Sequence, residues 1–334
     1  MRPLVSVIVP CFNENRTISL LLDALRQQTY PLESVEVLVA DGRSTDGTRE
    51  TVSQYAAAHP DQALQVIDNP RRTIPAALNL AIQAARGDII VRLDAHSRPQ
   101  ADYIERCVAA LQAGKGQNVG GVWEIQPGRP GWAAKSIAIA AAHPLGVGDA
   151  LYRLRPAGDS AGRSVDTVPF GAYWRSLVAQ IGPYDETLLT NEDYEFNVRI
   201  RRSGGQVWLD PTIRSVYFAR STFGSLWRQY WRYGFWKAQM LRRYPATLRW
   251  RQALPPAFVL AGVFLLLAAP WIQLAQILLA IQCLGYLSVL LLAGAQVALR
   301  RKDPRLLAGV PLAIASMHLA WGSAFWFGLS GIFL

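Results

Sequence analysis

The sequence predicts an α/β domain built on a mostly parallel sheet, continued by an apolar helical tail. Three observations carry this. Short β-branched runs alternate with helix-period stretches from residue 4 to about residue 125. Polar residues follow directly on three of those runs. The hydrophobic share, 51% of 334 residues, is concentrated after Pro255.

Taken in order, Ser6–Val9, Val35–Ala40, Leu64–Ile67 and Asp88–Leu93 read as strands. Helices are expected to begin near Thr17 and near Thr48, and a third to cover Ala76 to Ala85 before Gly87 stops it. Met1-Arg2-Pro3 runs straight into the first strand with no small-residue cleavage site, so the folded domain is expected to start there. Past Val122 the pattern loosens, and Ala133 to Ala142 reads as a helix or a mobile loop. A helical segment is expected from Trp174, and another from the polar run Thr190-Asn-Glu-Asp-Tyr-Glu-Phe-Asn197 to Gly204-Gly205. Between Phe223 and Trp250, Trp, Tyr and Phe mix with Arg and Lys, the composition of an amphipathic helix at a membrane interface.

Apolar spans at roughly 257–272, 274–299 and 306–334 each approach the length of about 20 residues that crosses a bilayer. Arg242, Arg243, Arg249 and Arg251 precede the first span, and Arg300-Arg-Lys-Asp-Pro-Arg305 separates the second from the third. If all three cross, both basic segments share one side, expected to be cytoplasmic, with the chain's end on the other. A rival reading makes the first two spans a re-entrant or interfacial hairpin around Pro270. The division expected is 1–221 catalytic, 222–252 interfacial and 253–334 membrane-embedded. The net charge of +10 suits anionic lipid or a phosphate-bearing substrate. Because the basic residues cluster beside the apolar spans, no nucleic acid is expected as partner. Cys11, Cys107 and Cys283 are too dispersed for a disulfide framework or a zinc site, which suggests a reducing compartment.

Open parallel sheets bind ligands beyond the carboxyl ends of their strands. Pro10-Cys-Phe-Asn-Glu14 follows the first strand, Asp41-Gly-Arg-Ser-Thr-Asp-Gly47 the second and Asp94-Ala-His-Ser97 the fourth. No G-x-G-x-x-G and no Walker-type Gly-Lys-Ser/Thr occurs, which argues against dinucleotide oxidoreductases and P-loop kinases. Asp41 suits a ribose hydroxyl or a base N–H, whereas Asp46 reads as a turn residue. Asp94 and His96 share a face if extended geometry persists, and together offer oxygen and nitrogen to one divalent cation beside a diphosphate. Glu192, Asp193 and Glu195 are the densest carboxylate cluster. Thr190 or Asn191 would cap their helix, and crowded carboxylates raise one another's pKa as a general base requires. Asp193 is central and is the first choice, with Glu192 next. Gln229 and Arg232 share one helix face, able to meet an acceptor sugar or a diphosphate, or lipid.

These five segments, in this order, resemble the inverting glycosyltransferases of family 2 with the GT-A fold, a Rossmann-like mostly parallel sheet. Among them the chain is most similar to bacterial succinoglycan and exopolysaccharide transferases, through Asp94-Ala-His96, Asn191-Glu-Asp193 and Arg228-Gln-Tyr-Trp-Arg-Tyr-Gly234. The resemblance implies a UDP-sugar donor with Pro10, Asn13, Glu14 and Asp41 around the nucleoside and Arg72, beside Arg71, near the diphosphate. It further implies Mg2+ or Mn2+ at Asp94 and His96, and Asp193 as the base acting on a hydroxyl of a lipid-linked saccharide. A multi-pass protein of the bacterial inner membrane with a cytoplasmic catalytic domain follows. Two departures stand out: the usual D-x-D is Asp94-Ala-His96, and the usual Q-x-x-R-W ends in Tyr233, which weakens a processive reading. The competing readings are a polyprenyl-phosphate glycosyltransferase, whose acceptor needs no strong base, and a catalytically inactive membrane scaffold.

Overall fold

The structure, a computed structural model, describes residues 2–154 and 161–331. The last three residues of the third apolar span lie outside them. The chain packs as two compact units, one of Met1–Glu124 with Arg155–Tyr217 and the other of Ile125–Leu154 with Phe218–Leu334.

The first unit opens with β1 (Val5–Cys11), α1 (Ile18–Arg26), β2 (Val35–Asp41), α2 (Thr48–Ala58), β3 (Ala63–Asp68), α3 (Ile74–Ala84) and β4 (Ile89–Arg92). β3, β2, β1 and β4 lie side by side and parallel, as the alternating pattern predicts. Branched side chains fill β1 and β2 because both faces of a parallel sheet are covered, and Val5, Val7, Ile8, Val37 and Val39 are fully buried. The β1–β2 register sets Cys11 opposite Asp41, so both strands stop at one level and their following loops emerge together. Gly87 acts beyond helix α3, which already ends at Ala84. A β-carbon on it would lie 2.6 Å from the Ser6 nitrogen, so only glycine lets the chain pass β1 there.

The sheet then changes character. β5 (Ser97–Pro99), α4 (Tyr103–Gln112), β6 (Asn118–Pro127), α5 (Trp132–Ala140), α6 (Pro144–Val147), β7 (Arg163–Ser164), β8 (Ala172–Trp174), α7 (Ser176–Ile181), α8 (Glu192–Arg202) and β9 (Val207–Ala219) complete it. The strand order is β3-β2-β1-β4-β8-β6-β9-β5, with β7 on β9, and β8 runs antiparallel to both β4 and β6. The sheet is therefore mixed. Trp174 ends a strand instead of starting a helix, which begins only at Ser176. Ala133–Ala142 is mostly helical, as α5.

The second unit holds α9 (Phe223–Arg243), α10 (Trp250–Ala268), α11 (Gln273–Arg301) and α12 (Leu306–Ser330). The last three are long and apolar enough to cross a membrane. α9 opens with a capping box in which Thr222 and Ser225 satisfy each other's backbone N–H groups.

Candidate active site

The loops after β1 and β2 are knitted to each other. Asp41, 1% exposed, accepts the Ser44 hydroxyl at 2.5 Å and the Ser44 N–H at 3.1 Å, and meets Arg49 at 3.3 Å. Ser44 Oγ in turn accepts the Asn13 N–H at 2.8 Å, while Asn13 Oδ1 accepts from the Thr45 N–H at 2.9 Å. Asn13 adopts the left-handed conformation, φ 56°, that a short polar side chain tolerates. Asp41 thus shapes the loop with both of its oxygens. Asp46 is the turn residue expected, accepting from Thr48 and from the Asn15 N–H, and those bonds hold its carboxyl below the usual range. Pro10 lies within β1 opposite Ala40, and Arg72 is exposed at φ 55°.

At β4 the extended backbone ends at Arg92, so Asp94 and His96 do not sit on a strand. Both the Ser97 N–H and its hydroxyl close a turn onto the Asp94 carbonyl, at 2.9 and 2.7 Å, and the expected alternation is lost. His96 instead points Nδ1 at Glu14 Oε1, 3.0 Å away, while Glu14 Oε2 accepts from Thr17 Oγ1 at 2.6 Å. A carboxylate on Nδ1 makes that nitrogen the donor and Nε2 the acceptor or ligand atom. The imidazole meets Tyr217 edge-on at 6.1 Å, and Tyr217 stacks on Trp123 at 4.1 Å.

The centre of the cluster is Arg92. Its guanidinium, 3% exposed, reaches Glu192 at 3.0 Å, Asp94 at 3.3 Å and Asp193. Burial works against its charge, but the Asp94 and Glu192 carboxylates outweigh that and raise its pKa above the ordinary value. One cation thereby joins the turn after β4 to the first turn of α8. The three α8 carboxylates are not left to repel one another, contrary to expectation, because Glu192 and Asp193 share Arg92 and Glu195 pairs with Arg199 at 2.8 Å. The side-chain cap expected of Asn191 is not formed. Asn191 occupies the N-cap at φ 69°, and the acidic first turn with the basic last turn suits the helix dipole instead. Side-chain exposure separates the candidates: Asp193 is 30% exposed, Glu192 7% and Glu195 2%. Only Asp193 has its carboxylate substantially open to an incoming group.

α8 is held firmly. Asn118 donates to Asn197 at 2.7 Å, Asn197 donates to Thr167 at 3.0 Å, Phe196 stacks on Tyr184, and Arg199 donates to the carbonyls of Ile181, Gly182 and Pro183. Sequence reasoning missed Arg92 as a site residue, along with Ser44, Trp123 and Tyr217. The signal for Arg92 was present: an arginine inside the apolar run Ile89-Ile-Val-Arg-Leu93 has to be paired wherever it is buried. Arg71 pairs with Glu186, which also accepts from Asn79 at 2.9 Å. Gln229 and Arg232 belong to the second unit, on α9, where Gln229 donates to the Tyr233 hydroxyl at 3.1 Å and Arg232 is exposed. As a donor set, Asp94 and His96 fit a divalent cation, being an oxygen and a nitrogen ligand 24% and 27% exposed. Among the described residues no three His, Cys, Asp or Glu side chains group around one ion. Mg2+ is commonly held by one or two carboxylates with substrate phosphates and water, and here an imidazole stands where a second carboxylate would.

Comparison with known proteins agrees with this architecture. The mannosyltransferase PcManGT from Pyrobaculum calidifontis, solved in complex with GDP-Man and Mn2+, superposes with a TM-score of 0.63 at 24% identity, covering 95% of this chain and 87% of that one. It shares the GT-A fold. The succinoglycan biosynthesis protein ExoA of Rhizobium meliloti (strain 1021) is 32% identical over 326 residues, 96% of this chain and 93% of its own. Methanococcus voltae has a dolichyl N-acetyl-alpha-D-glucosaminyl phosphate 3-beta-D-2,3-diacetamido-2,3-dideoxy-beta-D-glucuronosyltransferase that is 25% identical over 331 residues, 97% of each chain. With the description "Glycosyl transferase family 2" matching residues 6–181 and the succinoglycan relative matching nearly end to end, the chain belongs to glycosyltransferase family 2.

Proposed function

We propose that this family 2 glycosyltransferase transfers a sugar, with inversion, from a UDP-sugar to a hydroxyl of a lipid-linked saccharide in exopolysaccharide or cell-surface glycan synthesis. It would work at the cytoplasmic face of the bacterial plasma membrane. The observation that carries this reading is Arg92, which ties Asp94 and Asp193 to one guanidinium although they are distant in sequence. In the proposed reaction Asp193 accepts the acceptor's proton as its hydroxyl attacks the anomeric carbon opposite the nucleotide. Arg92 keeps that carboxylate oriented, and rigid α8 keeps it in place. The loops of Pro10, Asn13, Glu14 and Asp41 surround the nucleoside, Arg72 meets the diphosphate, and Gln229 and Arg232 contact acceptor or diphosphate. Asp94 and His96 would hold Mg2+ or Mn2+, whose charge neutralises the departing diphosphate.

The lipid-linked saccharide is supported by the archaeal relative, whose name gives a lipid phosphate already bearing a sugar as its acceptor. The assay uses the full chain in detergent with a panel of nucleotide sugars. A lipid-linked saccharide and a polyprenyl monophosphate are offered separately. Release of nucleoside diphosphate that requires the saccharide, with an inverted linkage by NMR, supports the reading. Turnover with the monophosphate alone would reassign the acceptor, and no turnover or hydrolysis with any donor would point to the inactive scaffold.

A further inference from the structure

The second unit contains a conflict with three membrane crossings. α9 and α12 run side by side in the same direction. Gln239 donates to the Gly328 carbonyl at 2.9 Å and Arg242 to the Leu329 carbonyl at 3.0 Å, partners 89 and 87 residues apart. Gly234 sits against the Trp321 carbonyl, and Gly328 against the Phe235 carbonyl and Ala238, so both backbones approach where glycine removes the side chain. At the other end Trp132 bridges them, its ring 5.8 Å from Phe223 and its edge beside Gly309. The pairing therefore runs nearly the whole length of both helices.

α9 cannot accompany a crossing helix. It exposes Arg228, Arg232, Arg242 and Arg243, spread along ~22 Å of its axis at about 1.5 Å per residue, and intramembrane cations are confined to bundle interiors or water-filled cavities. The midpoint of α12 is equally unsuited to a bilayer centre, since His318 Nε2 hydrogen-bonds the Leu145 carbonyl at 2.8 Å. Leu145 lies in α6, and just beyond that helix Asp149 pairs with Arg251 at 2.5 Å, so the connection carries charge. The best apolar stretch of α12 is 50% covered by protein, against 6% in α10 and 17% in α11. α12 meets α10 in its first half, at Gln252, Pro255, Pro256 and Val259, and meets α11 at its middle, Tyr286, and toward its basic end, Gly294. Beyond Val259 and Gln282 the α10–α11 pair stands uncovered, with Phe264, Leu267, Trp271, Leu274 and Ile281 each more than half exposed. No Asp, Glu, Lys, Arg or His occurs between Arg251 and Arg300.

We infer that the α10–α11 hairpin is the membrane insert, entering the acyl-chain layer and returning, and that α12 is not a third crossing but a helix packed along α9 on the side of entry. The occupant of the exposed hairpin face is lipid hydrocarbon, with the arginines at Arg251 and Arg300 to Arg305 at the headgroups. The end of α12 then lies on the same side as the catalytic unit, opposite to the expectation from three crossings. One cysteine at a time placed at Gln112, Phe264 or Ser330 of the full chain tests this in sealed membrane vesicles of both orientations with a membrane-impermeant maleimide, in a Cys283→Ser background whose buried Cys11 and Cys107 are first shown not to label. Positions 330 and 112 should label together in one orientation and be protected together in the other, while position 264 should stay unlabelled in both and after the vesicles are opened. Labelling of 330 and 112 from opposite faces would overturn the inference, and so would labelling of 264 from water, which would make the hairpin a surface for solvent or for a second copy. Should a variant fail to accumulate, a tag after residue 331 probed by an impermeant protease, against cleavage in the catalytic unit, reads the same sidedness.

Discussion

The strand ends of the first unit and the hairpin of the second treat burial in opposite ways. Around Arg92 the protein places charge where water is scarce and answers every charge with another. On α10 and α11 it places large apolar side chains that no described residue covers. Charge is compensated inside the first region, and the inferred partner of the second is hydrocarbon. The proposed function uses the same contrast: the first region would hold the Asp193 carboxylate for proton transfer, and the second would keep the enzyme beside a lipid-borne acceptor.

The largest effect is expected at Arg92. Arg92→Leu leaves three carboxylates facing one another without their cation, and losing one partner of a buried ion pair costs roughly 3–5 kcal/mol. A melting temperature near the wild-type value in the same detergent would mean that the cluster is solvated instead of compensated. Next in size is the converse experiment on the hairpin. Phe264→Asp puts a carboxylate on its uncovered face at a cost of roughly 2.5–3.5 kcal/mol in a bilayer centre. Alkaline extraction should then release much more of the protein from membranes, and unchanged retention would show that this face does not meet lipid.

The smallest effect is expected in the first unit, away from the site. Glu36 is buried at the base of the sheet, and although burial pushes its pKa up, the Ser6 hydroxyl and the Arg86 backbone and side chain pull it down further, below the ordinary 4.5. A depressed carboxylate stabilises the fold fully above its unfolded pKa and loses that contribution as pH falls through the folded value. Glu36→Gln should therefore cost roughly 1.5–3 kcal/mol near neutral pH, the worth of hydrogen bonds to a charged group. The deficit should shrink as pH falls below 4.5. A deficit that stayed constant down to the acid limb would remove the charge from the explanation.

Much of the parallel half was legible because its information is local. β-branched runs, their polar endings and the intervening helical periods locate β1 to β4 and therefore Asp41, Asp94 and His96 within a few residues. The antiparallel half was not, because β6, β8 and β9 gain their partners from chain far away, and a three-residue strand such as Ala172–Trp174 has no period to read. At the site, the identities of the acidic residues were visible but their pairing was not. Glu14 and His96 were read as belonging to separate tasks, yet one hydrogen bond joins them. Arg92 looked like one more strand position. The helices of the tail were plain from hydropathy, but hydropathy does not report a neighbour, and it is α9 lying along α12 that separates the third apolar helix from the first two.

Asp193 carries the proposed chemistry. With the donor and acceptor found by the assay above, the transfer rate of Asp193→Asn should fall ~10²–10⁴-fold, the usual contribution of a positioned general base. Its melting temperature should stay close to that of the wild type, because Glu192 and Asp94 still compensate Arg92. Sugar transfer at the wild-type rate by a folded Asp193→Asn protein would contradict it.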